Sequence, residues 1–320
     1  MNLPLSAKIF LAYPPGAPRD ALVERLIEWG YYNLVMGETL DLRDRDAVLA
    51  FFERELPDYV FYLTAQLEPG HAPPPAQWLY DNLRSVTHLA DAAYLYDVSK
   101  LLCLDASAAL LEDVALVPAT SQAQAAHTWN SEALEELRYA STVTRRATSE
   151  LCDSYRRQYN CNFISAVTTS IYGPGVLNGP GSSLVPSLLE VLRRAQAEDV
   201  SLLRLRGHPQ ERHHLLHLDD LTDATLYMMA RVSQPGTVYL GLAQGCTLGD
   251  VVGVLAGATG YRGRFEFEPR PSLPAPALSG ETEQWLEKLS WQASVPLLDG
   301  LTGTARWHAQ ESHLATLAGR

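Results

Sequence analysis

Short apolar runs alternate with longer amphipathic segments through about the first 170 residues of this chain. Strands that alternate with helices in this way are typical of a parallel sheet covered by helices on both faces. The apolar runs are nearly continuous, as strands buried on two faces require. The pattern therefore predicts an α/β fold with a Rossmann-like, doubly wound parallel sheet. The predicted strands are KIFLA, YNLVMG, PDYVFYLTA, KLLCLDAS and FISAVTTSIYG, and the predicted helices cover about 18–29, 45–54, 77–94 and 140–159.

The pattern becomes less regular after residue 172, where the glycine-rich stretch GPGVLNGPGSS begins. We predict two parts: a Rossmann-like domain over 1–172, and a smaller C-terminal α/β substrate lobe over 173–320 that is interleaved with the first. In the second part, SLLRLRG, HHLLHLDD, TVYLGL and RFEFEP read as strands. Helices are predicted near 184–197, 223–233 and 248–259.

Charge and composition limit the classes of partner. The formal net charge of −12 argues against nucleic acid or an anionic membrane surface as a partner. No apolar run approaches the roughly 18 residues that span a bilayer, and MNLPLSAKIF lacks the basic and apolar regions of a signal peptide. The four cysteines are scattered, so we expect reduced thiols in a cytoplasmic protein. The histidine-rich stretch GHPQERHHLLHLDD is interpreted as a strand and a capped helix, not as a metal site.

Several phrases spread over residues 8 to about 265 resemble the extended short-chain dehydrogenase/reductase family, also called the NAD-dependent epimerase/dehydratase family. They are DLRDRDAVLAFF, PDYVFYLTA, SELCDSYRRQYNCNFISAVTTSIYGPG, LVPSLL and HLDDLTDATLYMM. Within that family the resemblance is greatest to the GDP-L-fucose synthase branch, whose members are NADPH-dependent epimerase/reductases of a GDP-keto-sugar. A shared fold does not establish a shared function, so each subsite has to be compared by residue.

The dinucleotide-binding motif of the family, GxxGxxG after the first strand, is altered here. Its three glycine positions hold Tyr13, Gly16 and Arg19. Prolines in the same loop remove backbone N–H donors, which are the groups that bind phosphate. The arginine that NADP-dependent members place after the second strand is absent, and Glu38 lies at the distance of an acidic ribose ligand. We therefore expect no cofactor, with NADP only if the family activity survives.

The catalytic motif of the family is a Ser or Thr with a YxxxK helix, and it is also altered. Ser107 in CLDASA is the candidate serine. Two registers remain open for the helix: Tyr139 with Val143 at the lysine position, or Ser141 with Arg145 when the alignment has no gap. The Tyr–Lys couple is broken in both, and loss of a positioned acid/base group typically costs about 10² to 10⁴ in rate. Ser107, Tyr139 and Arg145 are the candidate catalytic residues.

The substrate end of the cleft differs as well. The resemblance places Ser183 where the family has a histidine and Glu190 where it has a helix arginine. Pro276 and Ala277 replace a basic pair in the proline-rich connector. A carboxylate in place of a guanidinium would repel a diphosphate.

Substrate-binding residues are expected at three positions. These are Tyr172 in IYGPG, Ser183, and Arg212 before the HLDD phrase, with His213 as the alternative to Arg212.

Three functional hypotheses follow. The leading one is a redox-inactive member of the family whose cleft binds or converts a small organic molecule without hydride transfer, by cyclisation, isomerisation or elimination. The second is a non-catalytic partner of a related enzyme. The third is an NAD(P)-dependent nucleotide-sugar epimerase/reductase of the GDP-L-fucose synthase type. The resemblance also implies a homodimer through a four-helix bundle formed by the helices at 77–94 and 140–159.

Overall fold

The computed structural model describes residues 3–64, 74–106, 131–176, 184–241, 245–268 and 291–318. The strands are β1 (Ile9–Ala12), β2 (Leu34–Met36), β3 (Tyr59–Leu63), β4 (Lys100–Asp105), β5 (Phe163–Thr168), β6 (Ser170–Tyr172), β7 (Leu202–Arg206), β8 (Arg212–His213), β9 (Leu215–His217), β10 (Thr237–Leu240), β11 (Cys246–Thr247) and β12 (Arg264–Glu268). The helices are α1 (Ala17–Glu28), α2 (Arg45–Glu55), α3 (Pro75–Leu95), α4 (Ser131–Tyr159), α5 (Leu184–Ala197), α6 (Leu218–Arg231), α7 (Leu248–Thr259) and α8 (Leu297–Ala318).

Six parallel strands form the central sheet in the order β10-β5-β4-β3-β1-β2. The chain moves outward from β1 to β2 and then returns to the other side of β1 to form β3. Such a reversal of strand order leaves a crevice at the carboxyl ends of the strands, where doubly wound sheets bind their ligands. The predicted Rossmann-like fold class is confirmed.

Helices cover both faces of this sheet, so its strands consist almost entirely of apolar residues, and β1 is an example. Ile9 and Leu11 belong to the core beneath α1 and α6. Phe10 and Ala12 point the other way, into the core beneath α2, α3 and α4. Because successive side chains of a strand alternate between faces, a strand buried on both sides needs an apolar residue at every position.

The second lobe is built from short strand pairs and three helices. β7 pairs with β12, β8 with β11 and β6 with β9, and α5, α7 and α8 enclose a separate apolar core. The lobe is not continuous in sequence, because β10 returns to the central sheet beside β5 and α6 packs against the first domain. Among the described residues, no helix combines the length and the apolar character needed to cross a membrane.

Several element boundaries differ from the sequence-based expectation, and the largest difference is at α4, which begins at Ser131 and not near residue 140. The run FISAVTTSIYG forms two strands, β5 and β6, separated at Thr169. The segment HHLLHLDD does not stay extended, because α6 already begins at Leu218 and not near residue 223. His217 is the N-cap of α6 and accepts a hydrogen bond from the Asp219 amide at 3.2 Å. The two aspartates of the phrase therefore lie in the first helical turn, where negative charge is favourable.

Candidate functional site

The loop after β1 positions a helix N-terminus at the carboxyl edge of the sheet. Gly16 is the N-cap of α1 and has φ +140° and ψ 177°, a conformation that is essentially restricted to glycine. A Cβ atom added there would meet no heavy atom within 4 Å. Within the described part of the chain, the amides of Gly16 and Ala17 donate to no acceptor. Open space in front of unpaired helix-start amides suits a phosphate group.

The substitutions around Gly16 do not fill this space. Tyr13 is 8% exposed and its ring lies in the core beneath α1, where burial raises the pKa of its hydroxyl. Pro14 and Pro15 are exposed. The space beside Gly16 therefore stays open, although the loop has lost amide donors.

Arg19, at the third glycine position, reaches the end of β2. Its Nη1 lies 3.2 Å from Oε1 of Glu38, and its Nε lies 3.3 Å from Oδ1 of Asp20. The Arg19 side chain is 14% exposed, whereas that of Glu38 is 64% exposed. The largely buried arginine therefore extends from α1 towards the segment that follows β2.

The face of α4 that meets the sheet carries Ser141 and Arg145. Ser141 is fully buried, and Arg145 Nε donates to Oδ2 of Asp105 at 3.1 Å. Tyr139 and Val143 lie on another face and are 68% and 50% exposed. Residues four apart share one helix face, so the register without a gap is the one that points towards β4. The structure brings Arg145 to the sheet edge but does not bring Tyr139 to it.

The Asp105–Arg145 pair was missed in the sequence, although CLDASA places Asp105 at the end of a strand. Both side chains are at least nine-tenths buried, with exposures of 6% and 10%. Arg145 Nη2 is buried and has no hydrogen-bond partner in the described ranges. Such a donor is costly to leave unpaired, and it fits an oxygen atom of a bound ligand.

The predicted substrate residues occupy different environments. Tyr172 is 1% exposed, contacts His217 edge to face at a centroid distance of 5.2 Å, and has a pKa raised by burial. Its hydroxyl lies so close to Gly300 of α8 that an added Cβ would come within 2.6 Å. Arg212 is exposed, and its Nη1 donates to the Gly245 carbonyl at 3.0 Å. Ser107, Ser183, Pro276 and Ala277 lie outside the described residues.

Glu190 does not present an unbalanced negative charge, contrary to the expectation from sequence. It accepts hydrogen bonds from Arg193 at 2.9 Å and from Arg194 at 2.6 Å. The two guanidinium groups offset the carboxylate on the same helix. In the parts of the chain described here, no group of three or more His, Cys, Asp or Glu residues is arranged to hold a metal ion.

Comparison with known proteins finds one family model and several GDP-L-fucose synthases that are similar to this chain. The model of the NAD dependent epimerase/dehydratase family matches residues 19–241. GDP-L-fucose synthase 1 of Arabidopsis thaliana is 30% identical over 95% of this chain and 93% of its own length. GDP-L-fucose synthase of Escherichia coli K12 is 27% identical over 94% of this chain and 96% of its own length.

Solved structures show the same fold. A GDP-mannoheptose C4 reductase from Campylobacter jejuni with NADP bound has a TM-score of 0.73 and 24% identity, covering 96% of this chain and all of that one. A GDP-L-fucose synthetase from Naegleria fowleri bound to NADP has a TM-score of 0.72 and 18% identity, covering 97% of this chain and 95% of that one.

These findings overturn two of the expectations drawn from sequence. The predictions of a redox-inactive cleft and of no cofactor are wrong, because the relatives are GDP-L-fucose synthases and proteins of this fold bind NADP. The error has a physical cause: the loss of two glycines and of amide donors was taken to abolish the site, but Tyr13 is buried in the core and a Cβ atom added at Gly16 would meet no heavy atom within 4 Å. A nucleotide cofactor is therefore expected, and the chain belongs to the NAD dependent epimerase/dehydratase family.

Proposed function

We propose that this protein is an NAD(P)-dependent epimerase/reductase that acts on a GDP-linked keto-sugar. The observation that carries the proposal is the 30% identity to a GDP-L-fucose synthase over 95% of the chain. The open N-terminus of α1 at Gly16 supports it, because this is where a doubly wound sheet binds a pyrophosphate.

The residues of the cleft have distinct proposed roles. A nicotinamide cofactor, when bound, would provide the hydride-transfer chemistry. The amides of Gly16 and Ala17 would hold the pyrophosphate, and Arg145 occupies the lysine position of the family motif. An arginine does not release its proton in proteins, so Arg145 is not an acid/base group. Its buried Nη2 instead orients a ligand oxygen and stabilises negative charge that develops there.

Ser141 stands at the position of the family's tyrosine, so no tyrosine hydroxyl is available as an acid/base group at that position of α4. Ser107, the other candidate, follows the end of β4 and keeps its proposed role of hydrogen-bonding the reacting oxygen. Tyr139 is exposed on α4, so its proposed role is in the dimer interface and not in catalysis.

We also propose a homodimer through α3 and α4. Tyr80, Tyr139 and Val143 are 56%, 68% and 50% exposed on these two helices. A groove between the helices has an apolar lining that includes Leu83 and Leu151. An exposed apolar surface of this kind on paired helices supports the proposal of an interface there. Sedimentation tests the proposed homodimer: the wild type should be a dimer, and Val143→Glu should dissociate into monomers. A monomeric wild type would contradict the proposal.

Cofactor binding and turnover test the proposed activity. Calorimetry with NADPH and with NADH should give dissociation constants in the micromolar range for at least one of them. Addition of a GDP-keto-sugar should then cause loss of the reduced nicotinamide absorbance, and the same sugar linked to UDP is the matched control. Absence of binding at millimolar cofactor, or binding without turnover of any GDP-keto-sugar, would contradict the proposal.

A further inference from the structure

We propose that Glu38, held in place by Arg19, makes this protein select NADH over NADPH. The inference rests on the proposed function, because it names the cofactor that the same cleft takes. It concerns the 2′ position of the adenosine ribose, which carries a hydroxyl in NADH and a phosphate in NADPH.

The position of Glu38 follows from the strand register. β2 runs parallel to β1, with Met36 beside Leu11, so both strands end at the same edge of the sheet. Glu38 comes two residues after β2, and the loop with Gly16 follows β1 at that edge. In doubly wound folds an acidic residue about 20 positions beyond the glycine loop hydrogen-bonds the ribose 2′-hydroxyl of NAD. Glu38 is at this distance from Gly16 and in this place.

Glu38 has the geometry of an acceptor that is fixed and still accessible. One of its oxygens, Oε1, receives Arg19 Nη1 at 3.2 Å. The side chain is nevertheless 64% exposed, so it retains room to accept hydrogen bonds from a ribose diol. The largely buried Arg19 restricts where the carboxylate can lie, which reduces the entropy lost when a ligand binds.

The charge balance around Arg19, Asp20 and Glu38 disfavours binding of a 2′-phosphate. Arg19 is the nearest candidate to bind a phosphate, but Glu38 and Asp20 both lie within 3.3 Å of its guanidinium. Two carboxylates and one guanidinium leave a net charge of −1. The next arginine along the chain after β2, Arg43, already donates to Asp41 at 2.8 Å. A phosphate would add negative charge to a site where the cations are occupied, and like charges placed together oppose binding strongly.

Calorimetry on the full chain tests the inference with NADH and NADPH, and with ADP-ribose as a probe that lacks the nicotinamide. Wild type should bind NADH at least about tenfold more tightly than NADPH. Glu38→Gln removes one of the two negative charges beside Arg19 and leaves only Asp20 paired with it, so NADPH should gain about tenfold and ADP-ribose should lose affinity. Glu38 is exposed, and unchanged thermal unfolding of the variant will show that the fold is intact.

Glu28→Gln is the matched control. Glu28 is 67% exposed and pairs with Arg25 at 3.2 Å at the other end of α1, so the variant makes the same charge change about 16 Å from the loop by helix rise. Its affinities for both nucleotides should equal those of wild type.

The outcomes separate this inference from the proposed function. Tighter binding of NADPH than of NADH by wild type would overturn the selectivity and leave the proposed function standing. A preference for NADH that persists in Glu38→Gln would overturn the role of Glu38. Binding of neither nucleotide would overturn both proposals together.

Discussion

Replacement of Gly16 by alanine separates backbone strain from steric conflict in the cofactor loop. Gly16 has φ +140° and ψ 177°, which an L-residue with a Cβ atom adopts only with strain. The same Cβ would meet nothing within 4 Å, so the variant creates no clash. The expected loss of unfolding free energy is therefore the backbone term alone, about 1–3 kcal/mol.

Gly253→Ala provides a control with the opposite sign. Gly253 lies within α7, is exposed, and also has nothing within 4 Å of a built Cβ, but its backbone is helical. Alanine is a better helix former than glycine by about 0.5–1 kcal/mol, so this variant should gain stability. The effects of the two Gly→Ala substitutions on unfolding free energy should then differ by about 1.5–4 kcal/mol.

Urea unfolding of both variants measures the difference in unfolding free energy. Calorimetry with NADH measures the effect of each substitution on nucleotide affinity. The methyl group introduced by Gly16→Ala would stand in the space proposed for the pyrophosphate, so this variant should also bind the nucleotide more weakly, while Gly253→Ala should bind it as wild type does. Equal stability changes in the two variants would contradict the claim of backbone strain. Lost stability with unchanged affinity would show that Gly16 does not border the cofactor.

Three further substitutions have outcomes set by buried polar groups. Arg145→Met removes the hydrogen bond from the guanidinium to the buried Asp105 carboxylate and should lower the unfolding free energy by about 1.5–3 kcal/mol, measured in urea. Lys100, which donates to the carbonyls at the end of α6, has a pKa lowered to about 8 by burial, against a usual 10.5. Between these values the unfolded chain binds more protons, so the stability of wild type should rise from pH 8 to pH 10 by up to about 1.4 kcal/mol per unit, a rise that Lys100→Met should lack. Asp220→Ala removes the acceptor of the Ser294 amide at 2.7 Å and hydroxyl at 3.0 Å, and should cost about 3 kcal/mol in the same urea assay.

Local patterns predicted the central sheet well because each strand and helix there obeys its own periodicity. The residues of β1 are apolar at every position, since both faces of the sheet are covered. The helix α7 was predicted with its observed ends because Thr247 and Asp250 form a capping box and Gly260 adopts a left-handed C-cap. The phrase HHLLHLDD was misjudged because a histidine N-cap is a weak signal in sequence, and the hydrogen bond to the Asp219 amide is a property of the folded turn.

The candidate site was harder to predict, because its properties depend on where side chains point. The loss of two motif glycines suggested that the phosphate site was lost, yet the Tyr13 ring lies in the core and the space beside Gly16 is open. The register of α4 also remained open until burial distinguished Arg145, which meets Asp105, from the exposed Tyr139.

The amino-acid sequence by itself determined the fold class, the order of the elements and the identity of the altered motif positions, since these depend on periodicity and on residue type. The tertiary structure alone decided that α4 presents Arg145 to the sheet and that the space beside Gly16 is open. It also decided that Arg19, which follows β1, pairs with Glu38, which follows β2. Those relations join residues from separate elements. Only the packing of helices on a twisted parallel sheet brings such residues within hydrogen-bond distance, so no local pattern records them.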